Sequence, residues 1–248
     1  SIAREISKSG RETIVLEKND RAGDVTSSRN SGVIHAGIYY PEDFLKSKLC
    51  VEGNRLIYEY AKSKKINHKQ YGKYIIATKE SELSNLEAIF IQGKRNKVEI
   101  CKVEKEQVLE DNPGLVFHEA LYSPSSGVID VPEYVTALEG DIQHFGGLIS
   151  LRTSFLSSSI KKNKFVINCK ADDFFSIESK CLINCSGLSN EITLKNIENF
   201  PTDKIYPNYY AKGPYFKYAG RSPFSNLIYP VSGPVSYTHL RAHETRPY

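Results

Sequence analysis

Ser1-Ile2-Ala3-Arg4-Glu5-Ile6-Ser7-Lys8-Ser9-Gly10-Arg11-Glu12-Thr13-Ile14-Val15-Leu16-Glu17 opens the chain and decides how the rest is read. Ile2, Ala3 and Ile6 lie on one helical side, and Gly10 stands where a glycine ends a helix. Thr13-Ile14-Val15-Leu16 is an apolar run closed by an acid, the pattern of a parallel strand covered on both faces. Helix, strand and acid form the second half of a βαβ nucleotide site. In that unit a glycine-rich turn precedes the helix, and an acid that holds a ribose hydroxyl follows about 20 residues later. Counting back from Glu17 puts the glycines just before Ser1. Any α/β protein has strands that end in Glu, so these residues alone leave a nucleotide site and a plain strand end equally open.

Further along, Thr26-Ser27-Ser28-Arg29-Asn30-Ser31-Gly32-Val33-Ile34-His35-Ala36-Gly37-Ile38-Tyr39-Tyr40 is a polar loop with two glycines, where small residues let backbone N–H groups approach a ligand. Leu45, Leu49, Leu56 and Tyr60 repeat at helical spacing and predict a packed helix over residues 44–61. Strands are predicted over 73–78 and 98–101, helices over 80–94 and 104–110. A helix after Asp130 is predicted to bury Tyr134, Leu138, Ile142 and Phe145 and to end at Gly146-Gly147. Strands then follow over 148–155, 164–169 and 179–184, the last running into Cys185-Ser186-Gly187. In doubly wound sheets ligands bind beyond the carboxyl ends of parallel strands, so Glu17 and Ser186-Gly187 are expected to face one ligand; the alternative for the glycine is a tight turn.

The 248 residues carry 33 Lys+Arg against 29 Asp+Glu, well mixed and without a basic block, which argues against a nucleic-acid partner. No apolar run of about 18 residues is present to span a membrane. The five cysteines are odd in number and form no C-x-x-C; four sit in apolar sequence, as expected of free thiols in a reducing cytoplasm, and no metal site is expected. The absence of Met and the abrupt start at Ser1 lead us to expect a piece of a longer chain. The segment Val235-Ser236-Tyr237-Thr238-His239-Leu240-Arg241-Ala242-His243-Glu244-Thr245 resembles a translated sequencing-library adaptor, so residues 235–248 are expected to be non-biological and His239 and His243 to carry no function.

At Arg29-Asn30-Ser31-Gly32-Val33-Ile34-His35-Ala36-Gly37-Ile38-Tyr39-Tyr40, then Leu45-Lys46 and Leu49-Cys50-Val51-Glu52-Gly53-Asn54, the chain resembles the L-2-hydroxyglutarate dehydrogenase/oxidase family of the D-amino-acid-oxidase-like FAD superfamily. The similarity continues through residues 122–130, 182–188, 213–216 and 227–231. It implies an α/β fold: a truncated Rossmann-like FAD-binding domain, residues 1–70 and 127–200, with an interposed α+β substrate lobe, residues 71–126 and 201–234. It also implies FAD as cofactor. Glu17 would bind the adenosine ribose, Ser28, Arg29, Asn30, Ser31 and Gly32 would line the pyrophosphate and ring, and Ser186 and Gly187 would approach the dinucleotide by backbone. Phe155 stands where the family has a smaller apolar residue whose backbone meets the adenine, a contact that tolerates the change. Pro214 replaces a polar or acidic residue, which leaves substrate identity open.

The implied reaction oxidises a 2-hydroxy acid, L-2-hydroxyglutarate first, by hydride transfer to flavin while a base takes the hydroxyl proton; oxygen or a quinone then receives the electrons. His35 is the candidate base because imidazole titrates near neutrality; the competing reading is a loop His that only hydrogen-bonds backbone or flavin. Tyr39, Tyr40, Lys212 and Tyr215 are candidates for binding the substrate, with packed Tyr and exposed Lys as the plainer alternatives. An amino-acid or amine oxidase on the same fold and an inactive, flavin-free fragment are the alternative functions. Lacking the glycine turn, the chain alone is expected to bind FAD poorly. A cytoplasmic location, with peripheral membrane association as a variant, follows from the cysteines.

Overall fold

The computed structural model describes residues 1–210, 213–216, 218–220 and 222–231. In chain order the helices are α1 (Ile2–Lys8), α2 (Leu45–Lys64), α3 (Leu83–Arg95), α4 (Lys105–Asp111), α5 (Val131–His144) and α6 (Asn190–Lys195). The strands are β1 (Ile14–Leu16), β2 (Val33–Ile34), β3 (His68–Lys69), β4 (Lys73–Ala77), β5 (Cys101–Val103), β6 (Glu119–Ser123), β7 (Gly127–Ile129), β8 (Leu148–Ser150), β9 (Ser154–Lys161), β10 (Lys164–Lys170), β11 (Phe174–Ser179) and β12 (Leu227–Pro230). They gather into two compact units, Ser1–Asn30 with Val131–Tyr210, and Ser31–Asp130 with the described residues after 210.

In the first unit the Ser1 side chain accepts the Arg4 N–H and caps α1. The far end closes as the sequence predicts: Gly10 has φ +78°, its N–H donates to Ser7 O, and Arg11 N–H donates to Ile6 O. α1 packs on α5, where Arg4 Nε donates to Asp141 Oδ2 at 2.6 Å. β1 pairs in parallel with β8, Ile14 opposite Leu148 and Leu16 opposite Ser150. The parallel pairing is the one expected from the opening residues, but the strand is not covered on both faces: Ile14 is 43% exposed.

The single strand predicted over 148–155 is two strands. Arg152 adopts φ +52° between β8 and β9, and the backbone there bends around the end of β1: Arg152 N–H donates to Asn19 O and Thr153 N–H to Glu17 O, each at 2.9 Å. β9, β10 and β11 form an antiparallel meander. Lys162 and Asn163 both take positive φ in its first turn, the two-residue hairpin geometry that matches strand twist. The strand predicted over 179–184 is displaced upstream to β11, because the ladder with β10 runs from Phe174 to Ser179; residues 181–186 adopt no regular structure.

In the second unit β12, β4, β6 and β5 form a four-stranded sheet, antiparallel except for the parallel β12–β4 pair. Alternation along the strands sorts the core. Ile75, Ala77 and Leu121 meet Leu86, Ile89, Val98 and Ile100 in one cluster, whereas Tyr74, Ile76 and Ala120 meet Val108 and Phe117 in the other. The predicted strand at 98–101 starts late, as β5, because Val98 and Ile100 are buried in the first cluster before Cys101 pairs with Tyr122. A second sheet, β2-β7-β3, is centred on β7. A Cβ on Gly127 of β7 would stand 2.3 Å from both Lys69 O and Tyr58 Oη, so only glycine fits between β3 and α2. Residues 31–70 therefore fold with β4 to β7: β2 and β3 both pair with β7, and Asn54 of α2 donates to Ser125 O.

The apolar stripe predicted to pack α2 faces outward; Leu45, Leu49 and Leu56 are 68%, 55% and 46% exposed. The inward face is Ser47, Val51, Asn54, Tyr58 and Ala61, also helically spaced but made of small and hydrogen-bonding residues. It has to be. A Cβ on Gly37 would lie 2.8 Å from Val51 Cγ2, so the loop runs too close to α2 for leucine to fit between. Cys101, Cys181 and Cys185 are exposed, contrary to the apolar surroundings read from sequence. No described helix is long and apolar enough to cross a membrane.

Candidate functional site

Glu17 ends β1, and its position is fixed on both sides by backbone bonds to Ser150 O and from Thr153 N–H. Its Oε1 accepts the Asn19 N–H at 2.9 Å; Oε2 takes no hydrogen bond from the described residues. A carboxylate with one oxygen anchored and one open is suited to a hydroxyl donor at a strand end. The turn Thr26–Ser28 follows. Ser28 Oγ donates to Asp24 O at 2.7 Å, Asn30 Nδ2 donates to Ser27 O and Thr26 O, and Arg29 Nη1 reaches back to Ser28 Oγ at 3.1 Å. These side chains close the turn on itself, with Ser28 and Arg29 exposed.

Ser186 and Gly187 are shaped by Asn184, whose Oδ1 accepts both Ser186 N–H and Ser186 Oγ. Gly187 has φ +56° and nothing within 4 Å of a notional Cβ, so glycine eases the turn and its flank is open to an incoming group. Phe155 is half-buried on β9 opposite Cys169, at a bulge in the ladder. The open carboxylate oxygen and the uncovered glycine turn fit a dinucleotide, which needs an acceptor for its ribose and close backbone for its phosphates.

Ser31, Gly32, His35, Tyr39, Tyr40 and Tyr215 belong to the second unit; Lys212 lies outside the described residues. Gly32 has φ +70° and its carbonyl accepts from Ile129 N–H, which starts the β2–β7 ladder. His35 follows β2 with its side chain exposed, while its carbonyl accepts from Asn54 Nδ2 at 3.1 Å and from the Cys50 thiol at 3.7 Å. Asn96, at the end of α3, was not singled out from sequence. Its buried Nδ2 donates to Gly37 O at 2.8 Å, Ile38 O at 3.2 Å and Tyr40 O at 2.8 Å. Asn54 and Asn96 thus hold both ends of the loop from His35 to Tyr40. Nothing in a one-letter pattern distinguishes Asn96 from a surface residue at a helix end.

Lys73 is equally inconspicuous in the sequence. It opens β4 on the side of Ile75 and Ala77, is 1% exposed, and its Nζ lies 4.8 Å from the Tyr39 ring centre and 4.6 Å from that of Tyr229. Burial holds its pKa down to about 8, with Cys50 pulling the other way. Burial likewise pushes the Cys50 thiol up, although Lys73 and Lys46 pull the other way. On the loop's outer side Lys46 Nζ sits 4.5 Å over the Tyr40 ring. The available sequence signal was alternation: a lysine stood where β4 should place an apolar side chain.

A parallel strand pair with an acid at its carboxyl end, and an open glycine turn in the same unit, fit a dinucleotide-binding α/β protein. The chain belongs to the FAD dependent oxidoreductase family, which it matches over residues 1–246, and FAD is this family's cofactor. It is 31% identical over 262 residues to the mitochondrial L-2-hydroxyglutarate dehydrogenase of Arabidopsis thaliana, covering 93% of this chain and 54% of that protein. It is 34% identical to the mitochondrial enzyme of that name from Caenorhabditis briggsae, covering 97% and 56%. The chain spans about half the length of these curated relatives. Among solved structures, glycine oxidase from Bacillus cereus superposes with a TM-score of 0.68 at 18% identity, over 78% of this chain and 55% of that one. The FAD-bound L-alpha-glycerophosphate oxidase from Mycoplasma pneumoniae gives 0.62 at 24%, over 66% and 45%. Both likenesses concern the fold.

Proposed function

We propose that the chain serves the FAD-dependent oxidation of a 2-hydroxy acid, with L-2-hydroxyglutarate going to 2-oxoglutarate. The observation that carries this reading is His35, an exposed imidazole on a loop whose backbone is fixed by Asn54 and Asn96. FAD, when bound, supplies the acceptor for the hydride of the substrate's α-carbon. Glu17 would hold the ribose, Ser28 to Gly32 the pyrophosphate and ring, and Phe155, Ser186 and Gly187 would contact the cofactor through their backbone. The first unit is then the cofactor part and the second the substrate lobe. His35 accepts the hydroxyl proton at an imidazole nitrogen, and Tyr39, Tyr40, Tyr215 and Lys212 surround the substrate. Oxygen or a quinone takes the electrons in the second half of the cycle.

Anaerobic mixing of L-2-hydroxyglutarate with the flavin-loaded enzyme, this chain with the glycine turn expected before Ser1 restored, should bleach the yellow absorbance. Bleaching by glycine or another amino acid, and not by a hydroxy acid, would replace this reading with an amine oxidation. The open oxygen of Glu17 gives a second expectation: Glu17→Ala should weaken FAD binding by about 1.5–3 kcal/mol, the worth of a hydrogen bond to a charged group. Equal affinity in equilibrium titrations of variant and parent would reduce Glu17 to a strand end.

A further inference from the structure

Lys73 is the only buried lysine among the described residues, and neither a carboxylate nor a hydrogen-bond acceptor from those residues reaches its Nζ. Two tyrosine faces lie against the ammonium. Aromatic faces attract a cation but offer no lone pair in line with its N–H bonds. Burial raises the Cys50 thiol and so disfavours the thiolate that would serve as counterion. A buried charge without a partner is among the most costly groups a fold can retain.

The neighbouring strand repeats the pattern. Lys73 is paired across the β4–β6 ladder with Ser123, and residues directly opposite in an antiparallel pair project to the same face, with Cβ atoms about 4.5–5.5 Å apart. Ser123 Oγ is buried without a hydrogen-bond partner, as is Ser126 Oγ three residues on, in the residue whose carbonyl accepts the Gly72 N–H beside Lys73. One ammonium and one hydroxyl, both buried on one face and both with donors to spare, call for an anion bearing acceptor oxygens. Tyr39 ties this cluster to the His35 loop, of which it is a part.

We propose that Lys73 and Ser123, walled by Tyr39 and Tyr229, form a carboxylate-binding site on the inner face of β4 and β6 that takes a carboxylate of the substrate. The assignment of that carboxylate to a 2-hydroxy acid rests on the function proposed above; the anion site itself does not. The probes are glutarate and 2-oxoglutarate, titrated by calorimetry into the flavin-loaded enzyme with the expected glycine turn restored, and into its Lys73→Met and Ser123→Ala variants. Lys73→Met should weaken both probes about 10- to 100-fold, the range for one charge-assisted hydrogen bond. It should also melt at a higher temperature than the parent, because methionine fills the same space without a buried charge. Ser123→Ala should weaken the probes several-fold, and Lys73→Arg should restore part of the binding.

Unchanged affinity in a folded Lys73→Met overturns the site. So does a Lys73→Met that fails to fold together with a Ser123→Ala that binds normally, since Lys73 is then structural. If L-2-hydroxyglutarate fails to bleach the parent but glutarate binding still depends on Lys73, the site stands and the proposed function falls. If the parent is bleached and Lys73→Met keeps its KM, the site falls alone.

Discussion

Replacing His35 by asparagine should slow flavin reduction about 10²- to 10⁴-fold, the usual worth of general base catalysis, while the flavin stays bound. The separation is expected because the loop has backbone anchors apart from the imidazole. Its backbone is held by Asn54 at the His35 carbonyl and by Asn96 at Gly37, Ile38 and Tyr40, all main-chain contacts that the variant keeps. His35 is also the only histidine of the loop; His68 lies in β3, His118 just before β6 and His144 at the end of α5. Stopped-flow bleaching under anaerobic conditions reads the step directly. Normal bleaching in the variant sinks the assignment, and loss of flavin would make the residue structural.

The largest stability effect is expected at Arg4. Its Nε bonds Asp141, whose side chain is 5% exposed, and its Nη1 bonds the exposed Glu5. The bond to Asp141 raises the guanidinium pKa above its ordinary value. Arg4→Ala removes the guanidinium from a buried carboxylate at the α1–α5 contact and should lower stability by about 1–3 kcal/mol, the cost of leaving a buried acceptor without its partner. Arg4→Met combined with Asp141→Leu should recover most of that loss, since an apolar pair of similar volume carries no desolvation penalty. Urea unfolding measures both; a loss below about 1 kcal/mol in the single variant would show that Asp141 does not need its partner.

What the sequence makes legible follows from the range of the forces. α1 and its glycine stop, β4 with its uninterrupted apolar run, and α3 are local patterns, and the structure has them where the pattern puts them. The face α2 buries is not local. Leu45, Leu49 and Leu56 make the stronger apolar stripe, but the partner is a loop pressed close by Gly37, and only Ser47, Val51, Asn54 and Ala61 fit against it. The same holds for the break at Arg152, which exists because the chain must bend around Glu17 and Asn19, residues far away in sequence. At the proposed site, His35 is visible through the motif that surrounds it. Asn96 and Lys73 are not, because their roles arise from what the fold brings next to them.

The β2–β7 ladder also bears on the order in which the chain assembles. β1 cannot find β8 until residues 14 and 148 meet, and the closure of so long a loop is opposed by chain entropy. Val33 pairs with Val128 and Ile129 N–H with Gly32 O, so the second unit, once formed, clips the intervening chain at its neck. The remaining path from β1 to β8 is roughly three-fold shorter, worth about 1 kcal/mol of closure entropy. Synthesis favours the same sequence of events, since residues 31–130 leave the ribosome before β8 does. In refolding, pulse-labelled hydrogen exchange should therefore find the amides of β4, β6 and β7 protected before those of β1 and β8; protection of β1 first would mean that the parallel pair nucleates the chain instead.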